Sequence, residues 1–445
     1  MARIQMITCH PARLVASRRI RAANYRAEQF LDSLLADGHE ILLCSGSRDE
    51  EPSTSASINS DSGRLLYQHI PYGSRAWVSS LQKSHDRFSP DCVIAINYSH
   101  CLYATRLKTD RPIWMDLCGD MITKQHAHCH RFGTNRDMPT TLTFMRQILG
   151  AGDIFSACSQ PQRNVLVGEL AMSGRLNHRN FGYEFTRIIL PGSPQLLIGN
   201  ENRRRHRSHS KLGLAPDDFV VLWCGGYSTR ADVDTLFYAL EWAMERHPKL
   251  HFVSVGASTY DAPENAYTRL LTLIDGSPFR DRYHMQGWQP WEEIPRYYAE
   301  SHVGLNIEAM HYETIYGTRT RLVEMIAAGL PVITTEGTQL SYLLQASRAA
   351  MTCEVGRWDE LGSQILRLAS DEGLREEISR AALHSSQSEF SFAKTTECLR
   401  TWVKSPTMAP DRRPASKTEK LEEVRHRAYA VIRRLLWKLI GTDSR

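Results

Sequence analysis

The stretch Tyr312–Thr335, YETIYGTRTRLVEMIAAGLPVITT, contains an arginine-rich loop, a short helix, a Gly-x-Pro stop and a β-branched strand. Gly329 stands where a left-handed helix end is favoured, and Pro331 blocks continuation of the helix. The segment Val332–Thr335 has the composition of a parallel strand that is buried on both faces. This order predicts one αβ unit of an α/β fold with doubly wound parallel sheets.

The residues at the start of this helix predict an anion site. They supply two hydroxyls and two guanidinium groups: Thr318, Arg319, Thr320 and Arg321. Together with the unpaired N–H groups of a helix N-terminus, these groups favour a diphosphate. Glu324, one turn further along, is placed to accept hydrogen bonds from a ribose. The segment therefore predicts a nucleotide-sugar site; the alternative is an ordinary αβ unit with a solvated basic loop.

The run Gly317–Pro331 resembles the C-terminal signature of retaining glycosyltransferases of family four, which adopt the GT-B fold. In that family the second glutamate of an E-x7-E motif contacts the ribose, and Glu324 matches it. The first glutamate would fall at Tyr316, so the chain departs from the motif there. Glu313 matches a bacterial subgroup with an E-T-x-x-x-x-R-T-R loop, and it is the candidate for contact with the donor sugar.

Composition limits the class of protein. The chain has 445 residues, of which 42% are apolar and 23% charged, and its formal net charge is +5. These values suit a globular protein with two domains of about 200 residues each. The small net charge predicts no nucleic-acid partner, and no apolar run approaches the roughly 20 residues that span a bilayer. Ten cysteines without paired spacing predict a reduced, cytoplasmic protein.

Alternating strand and helix patterns predict two Rossmann-like domains that face a cleft. The strands predicted in the first half are Arg3–Cys9, Glu40–Cys44, Leu65–Ile70, Cys92–Asn97, Ile113–Asp116, Ile154–Ala157 and Arg187–Leu190. Those predicted in the second half are Phe219–Cys224, His251–Val255, Tyr283–Met285, Val303–Ile307 and Val332–Thr335. The predicted boundaries are an acceptor domain at 1–200, a basic linker at 201–211, a donor domain at 212–404, and a linker with a helix at 405–445.

The predicted helix 419–440 is amphipathic, with an apolar stripe flanked by arginines and Lys438. A basic helix of this kind, which also carries Trp437, can lie on an anionic membrane surface. Packing against the protein itself or against a partner is an equally good interpretation. Peripheral contact with the inner face of the membrane is therefore an open alternative for this segment.

Two turns that contain glycine are candidates for binding the nucleotide sugar. Gly225 and Gly226 end a predicted strand, and glycine lets a backbone approach a phosphate closely. Arg230 follows and could add a positive charge, while Gly287 belongs to a turn that family members place near the nucleotide base. The string Asp232–Asp234 resembles a metal-binding D-x-D motif, but it is interpreted as helix capping. No metal ion or cofactor is expected.

In the first half, Asp116 and Asp120 follow a buried strand. Because strand carboxyl ends face the cleft, both are candidates for acceptor binding or for orienting the reaction. The cluster His126–His130 has residue types that bind metals but lacks zinc-finger spacing.

The resemblance implies a hexosyltransferase-like enzyme, for example in polysaccharide biosynthesis. It would move a sugar from a nucleotide-diphosphate donor to a glycan, lipid-linked or small-molecule acceptor, with retention and without a metal. Arg319, Arg321 and Arg230 are expected to stabilise the departing diphosphate, with Thr318 and Thr320 as neutral donors. A GT-B epimerase or phosphorylase, and a catalytically degenerate nucleotide-sugar or glycan-binding protein, are the alternatives.

Overall fold

The computed structural model describes residues 1–15, 20–46, 64–70, 76–194, 213–259 and 265–412. The predicted linker 201–211 and the predicted helix 419–440 lie outside these ranges. None of the helices in the described ranges combines the length and the apolar composition that crossing a membrane requires.

The first half forms one parallel sheet. Its strands are β1 Arg3–Thr8, β2 Glu40–Ser45, β3 Leu65–His69, β4 Cys92–Ile96, β5 Ile113–Asp116, β6 Ile154–Ala157 and β7 Thr186–Ile188. They lie in the order β3-β2-β1-β4-β5-β6-β7, and every pairing is parallel. The chain reverses direction across the sheet between β1 and β4, which opens a crevice at the carboxyl ends of the strands.

The second half repeats this plan. Its strands are β8 Phe219–Cys224, β9 Leu250–Val255, β10 Tyr283–Gly287, β11 Val303–Asn306, β12 Val332–Thr335 and β13 Met351–Cys353. They lie in the order β10-β9-β8-β11-β12-β13, again with parallel pairings throughout. The reversal falls between β8 and β11, so the glycine turn after β8 and the loop after β11 are neighbours.

Helices cover both faces of each sheet, which is why the strands are apolar on both sides. In the first half they are α1 Ala22–Ala36, α2 Trp77–Phe88, α3 Tyr98–Ala104, α4 Met121–Phe132, α5 Met138–Ala151 and α6 Gln160–Met172. In the second half they are α7 Val233–Arg246, α8 Ala266–Asp275, α9 Ile294–Glu300, α10 Tyr312–Tyr316, α11 Thr320–Ala327, α12 Gln339–Ala346, α13 Trp358–Ser370, α14 Glu372–Gln387, α15 Phe392–Thr395 and α16 Glu397–Val403.

The predicted fold class is confirmed, since two Rossmann-like domains with parallel sheets are present. All predicted strands form, with ends that differ by a few residues. β13 was not predicted, because three residues carry too little periodicity to be recognised. The predicted helix Trp291–Glu300 divides into a 3-10 turn and α9. Pro295 explains the division, because it lacks an N–H and is tolerated only in the first turn of a helix.

The last described helices return to the first domain. Gln29 of α1 donates a 2.7 Å hydrogen bond from Nε2 to Thr395 Oγ1, and Arg400 Nε lies 2.7 Å from Asp37 Oδ2. The Trp402 ring meets the Trp114 ring edge-on at 5.4 Å. Residues 392–403, which the sequence analysis placed in the second domain, therefore pack on the first domain.

Asp116 lies at the end of β5 and faces α1 instead of the cleft. Arg26 donates to both of its oxygens, from Nη2 at 2.7 Å and from Nε at 3.0 Å, and Ser156 Oγ donates at 2.5 Å. The Asp116 side chain is fully buried and that of Arg26 is 3% exposed. Arg26 also donates to the Leu190 carbonyl at 3.1 Å. The ion pair therefore joins the first sheet to α1 and to the segment that leaves the domain.

We expect Asp116→Ala to lower the free energy of unfolding by about 3–5 kcal/mol, because it leaves the Arg26 guanidinium buried without a counter-charge. Urea unfolding followed by tryptophan fluorescence would measure the change. Asp234→Ala is the matched control, since its ion pair with Arg269 is about half exposed on both sides; it should cost at most about 1 kcal/mol. Equal losses in the two variants would contradict a structural role for Asp116.

Candidate active site

The arginine-rich loop leads into α11 as predicted. α11 begins at Thr320, directly after Arg319, whose backbone is extended. The apolar face of the helix is fully buried in the second domain through four side chains: Leu322, Val323, Met325 and Ile326. This packing fixes the direction of the helix, so the free N–H groups of its first turn lie at the loop.

Two buried carboxylates hold the arginines of this site. Arg319 Nε contacts the carboxylate of Glu308, which follows β11. Arg230 approaches Glu308 Oε1 at 3.5 Å through Nε and donates from Nη1 to Glu313 Oε1 at 2.7 Å. Burial disfavours the charged form of Glu308, but Arg319 and Arg230 together hold its pKa below the usual range. Glu308 is therefore a permanent counter-charge inside the site.

Arg321 is held by the glycine turn after β8. Its Nη2 donates to the Gly226 carbonyl at 2.7 Å, and its guanidinium lies 4.6 Å from the centre of the Trp223 ring. Gly225 has φ of +120°, and a Cβ there would stand 3.2 Å from the Arg321 guanidinium. A Cβ on Gly226 would stand 2.3 Å from Thr259 Cγ2. Gly225 thus lets the turn approach Arg321 closely, and Gly226 lets it pack against Thr259.

Three donors of the loop are buried and have no hydrogen-bond partner among the described residues: Thr318 Oγ1, Arg319 Nη2 and Arg321 Nη1. Buried donors in native proteins are almost always paired. All three residues line one cavity between the domains. An anion bound in that cavity would satisfy them.

This first cavity has a volume of about 730 Å³. The second domain lines it with the glycine turn and the arginine loop, and also with Arg230, Thr320 and Trp288. The first domain contributes five residues to its wall: Ile20, Arg21, Ala22, Tyr25 and Lys124. The cavity therefore brings together most of the predicted donor-side residues. Gly287 lies beside it, with φ of +64°, and the chain enters the cavity wall at the next residue.

Glu324 lines the same cavity and is 8% exposed. Tyr298 donates to Glu324 Oε2 at 3.0 Å. Burial raises the pKa of Glu324 to about 7, although Tyr298, Arg321 and Tyr25 each lower it. A carboxylate in this state suits hydrogen bonds from the hydroxyls of a ligand.

A second cavity, of about 850 Å³, lies between α4 of the first domain and the second domain. One face of α4 lines it with His126, His130 and Arg131, and the opposite wall includes His311 and Glu313. The two cavities adjoin at Ser228, in the turn that carries Arg230, because both walls include this residue.

Asp120 caps α4 and lines neither of the two cavities. Its Oδ1 accepts a 2.6 Å hydrogen bond from the Thr123 backbone N–H. Glu169 of α6 lies against it; burial and the Asp120 charge raise the pKa of Glu169 to about 8. Asp120 thus fixes the start of the helix that presents Lys124 to one cavity and His126 to the other.

Glu169→Gln should make the fold less sensitive to alkaline pH. The pKa of Glu169 is raised in the folded state. Its contribution to the free energy of unfolding is therefore fully present below about pH 4.5 and is lost as pH rises toward about 8. Glutamine imitates the protonated acid, so the gain in Tm of the variant over the wild type should grow through this window. Thermal unfolding over that pH range would measure it.

Glu245→Gln, on the exposed face of α7, is the control for this experiment. Its difference in Tm from the wild type should not depend on pH in the same window. If the Tm of Glu169→Gln differed from that of the wild type by the same amount at every pH in this window, Glu169 would be ionised across it in the folded protein.

Sequence reasoning missed three groups of this site. Glu308 directly follows the predicted strand Val303–Ile307, and a carboxylate near an arginine loop in sequence is a signal for a counter-ion. Tyr25 and Lys124 carry no motif and lie far from the loop in sequence. In the described ranges, no group of three or more His, Cys, Asp or Glu side chains could hold a metal ion.

Comparison with known proteins supports the assignment of the second domain. Residues 238–401 match the family model described as "Glycosyl transferase-like". Over 194 residues the chain is 25% identical to mannosylfructose-phosphate synthase from Agrobacterium fabrum (strain C58 / ATCC 33970). That alignment spans 43% of this chain and 41% of the relative.

Solved structures share the fold over nearly the whole chain. Sucrose-phosphate synthase from Thermosynechococcus elongatus superposes with a TM-score of 0.67 at 17% identity, covering 91% of this chain and 99% of that one. Anabaena HepE in complex with UDP-glucose gives a TM-score of 0.66 at 14% identity, with coverages of 91% and 100%. The chain therefore has the two-domain GT-B fold of these structures, and residues 238–401 in its second domain are similar to glycosyl transferase-like proteins.

Proposed function

We propose that this chain transfers a sugar from a nucleoside diphosphate sugar to an acceptor hydroxyl, with retention of configuration and without a metal ion. The observation that carries the proposal is the set of three unpaired buried donors, Thr318 Oγ1, Arg319 Nη2 and Arg321 Nη1, beside a glycine turn. A diphosphate supplies acceptor oxygens for all three.

The charge of the site suits a departing diphosphate. Arg230, Arg319 and Arg321 face the two carboxylates of Glu308 and Glu313, which leaves one net positive charge in this group. Lys124 brings a further positive charge from the first domain to the same cavity. Fixed donors of this kind stabilise the charge that develops on a leaving group as the glycosidic bond breaks.

For the donor we propose a uridine diphosphate sugar, with Glu324 accepting hydrogen bonds from the ribose. The structural neighbour HepE was crystallised in complex with UDP-glucose. Glu313 is proposed to contact the sugar. Its two oxygens already accept from Arg230 Nη1 and from Thr229 Oγ1 at 3.0 Å, and each oxygen keeps a second lone pair for a hydroxyl.

For the acceptor we propose a phosphorylated sugar bound in the second cavity. The sequence relative and the structural neighbour from Thermosynechococcus elongatus are both named as synthases of phosphorylated sugars. The cavity presents Arg131, His126 and His130 from α4, which suit a phosphate, and Glu313 and Thr229 from the other wall, which suit hydroxyls. A glycan or a lipid-linked acceptor remains an alternative.

The proposed compartment is the cytoplasm. None of the ten cysteines forms a disulfide with another, and eight of them are buried. Free buried thiols suit a reducing environment. Peripheral membrane contact through 419–440 stays a prediction.

Thr318→Val tests the donor site with little effect on the fold, because it replaces a buried unpaired hydroxyl with a methyl of similar shape. We expect an unchanged or higher Tm without ligand, and nucleotide binding weaker by about tenfold or more. Thermal shift and calorimetry with UDP, GDP, ADP, dTDP and CMP would measure it.

Thr143→Val is the control and should bind the nucleotide like the wild type. In the wild type the Thr143 hydroxyl donates to the Pro139 carbonyl on the exposed side of α5. If no nucleotide stabilises the wild type, the donor site is refuted.

Arg131→Ala tests the acceptor site. We expect the KM for a phosphorylated sugar to rise about tenfold or more, because a charge-assisted hydrogen bond is lost, while affinity for the donor nucleotide is unchanged. Steady-state kinetics with glucose 6-phosphate or fructose 6-phosphate would measure it, and Arg146→Ala on the exposed side of α5 is the control. A preference for unphosphorylated acceptors in the wild type would contradict the proposal.

A catalytically degenerate binding protein is the second candidate. Tyr316 stands at the position of the first motif glutamate, and ion pairs occupy Arg319 and Arg230. Nucleotide binding without hydrolysis or transfer would favour it. An epimerase or a phosphorylase of the same fold would instead convert the bound donor without an acceptor, the phosphorylase only in the presence of phosphate.

A further inference from the structure

The first turn of α6, in the first domain, contacts the second domain beside the arginine-rich loop. The Ser159 hydroxyl donates a 2.9 Å hydrogen bond to the Tyr316 carbonyl, at the end of α10. The Cys158 thiol, a weak donor, approaches the same carbonyl at 3.7 Å. The Gln160 backbone N–H donates to Gln339 Oε1 at 2.5 Å. The start of α6 is therefore one of the places where the two domains touch.

Ser159 uses its hydroxyl for two purposes. The oxygen accepts from the Gln162 N–H at 3.2 Å and thereby caps α6. Its one proton is donated to the Tyr316 carbonyl. Ser159 is 1% exposed, so little water can compete for either bond. Alanine at this position would therefore remove both hydrogen bonds at once, whereas threonine would keep both.

The helix α10 needs support from outside because it is very short. It has five residues, and a single helical turn is not stable by itself in water. The carbonyls of its last turn have no partner inside the helix, so the Tyr316 carbonyl is free to accept from Ser159. Thr318, which carries the first of the unpaired donors, follows two positions later. What holds the end of α10 therefore also holds the beginning of the arginine-rich loop.

The two ends of this loop are held by different domains. The helix α11 begins at Thr320 and is fixed by apolar packing within the second domain. Tyr316, at the other end, is bonded to Ser159 of the first domain. The residues between these ends carry two of the three unpaired donors, Thr318 Oγ1 and Arg319 Nη2. A shift of the first domain would therefore move one end of the loop relative to the other.

We propose that Ser159 is a positioning residue for the donor site: by holding the Tyr316 carbonyl, it keeps the arginine-rich loop in the geometry that binds a diphosphate. This inference rests on the proposed function, because it takes the loop as the diphosphate site. Affinity for the nucleotide then depends on the first domain through a residue that lines neither of the two cavities. Nucleotide binding in turn favours the arrangement of the domains in which Ser159 and Tyr316 meet.

Ser159→Ala should weaken the binding of UDP about fivefold, which corresponds to the net free energy of one hydrogen bond. Calorimetry with UDP as the probe would measure the change. Ser159→Thr keeps the hydroxyl and should bind UDP like the wild type. Because alanine also removes the cap of α6, the matched control is Asp371→Ala, which removes the exposed cap of α14. This control should lower the Tm through the lost cap and leave the affinity for UDP unchanged.

Hydrogen exchange gives a second measurement that needs no nucleotide. The amides at 316–321 should exchange about fivefold faster or more in Ser159→Ala than in the wild type, because the loop loses one of its anchors. Asp371→Ala should leave these amides unchanged. A role of Ser159 as a helix cap alone would instead raise the exchange of α6, at 160–172, and not that of the loop.

Unchanged UDP binding in Ser159→Ala would overturn the proposal. Equal weakening in Ser159→Ala and Ser159→Thr would overturn it as well, because the hydroxyl would then not be the cause. If the wild type itself binds no UDP, the proposed donor fails, and the exchange experiment decides the role of Ser159 separately. Faster exchange of the loop would then support Ser159 as its anchor, and unchanged exchange would overturn it.

Discussion

Guanidinium groups buried between two domains are stable only when carboxylates compensate part of their charge. Glu308 and Glu313 provide this compensation, and both come from the chain that follows β11. The carboxylates fix Arg319 and Arg230 in place, while Arg321 rests on the glycine turn after β8. The donors that remain unpaired are therefore held in position before any ligand arrives, which is the condition for stabilising a developing charge.

The order of the strands decides where these arginines and carboxylates lie. β8 and β11 are neighbours at the point where the chain reverses across the second sheet, so the glycine turn and the glutamate loop meet at one edge. The first domain supplies the opposite wall through α1 and α4. Because α15 and α16 return to the first domain, the chain connects the two domains a second time.

The strands of both sheets were predictable because parallel strands buried on both faces are continuous apolar runs between turn signals. The helix α11 was predictable from its apolar spacing and from the glycine and proline that end it. The role of Asp116 was not predictable from the sequence. A carboxylate at the end of a strand can face the cleft or a covering helix, and Arg26, 90 residues earlier, provides a buried partner on the helix.

The sequence by itself determined the α/β fold, the arginine loop at a helix N-terminus and the spacing of Glu324 from that loop, because these depend on residues close together in the chain. Only the tertiary structure decided which charges are paired and which donors are free. The energy of a charge depends on its burial and on the distance to its partners. Packing sets both, and it joins Glu308 to Arg319, Asp116 to Arg26 and Trp291 to Tyr25.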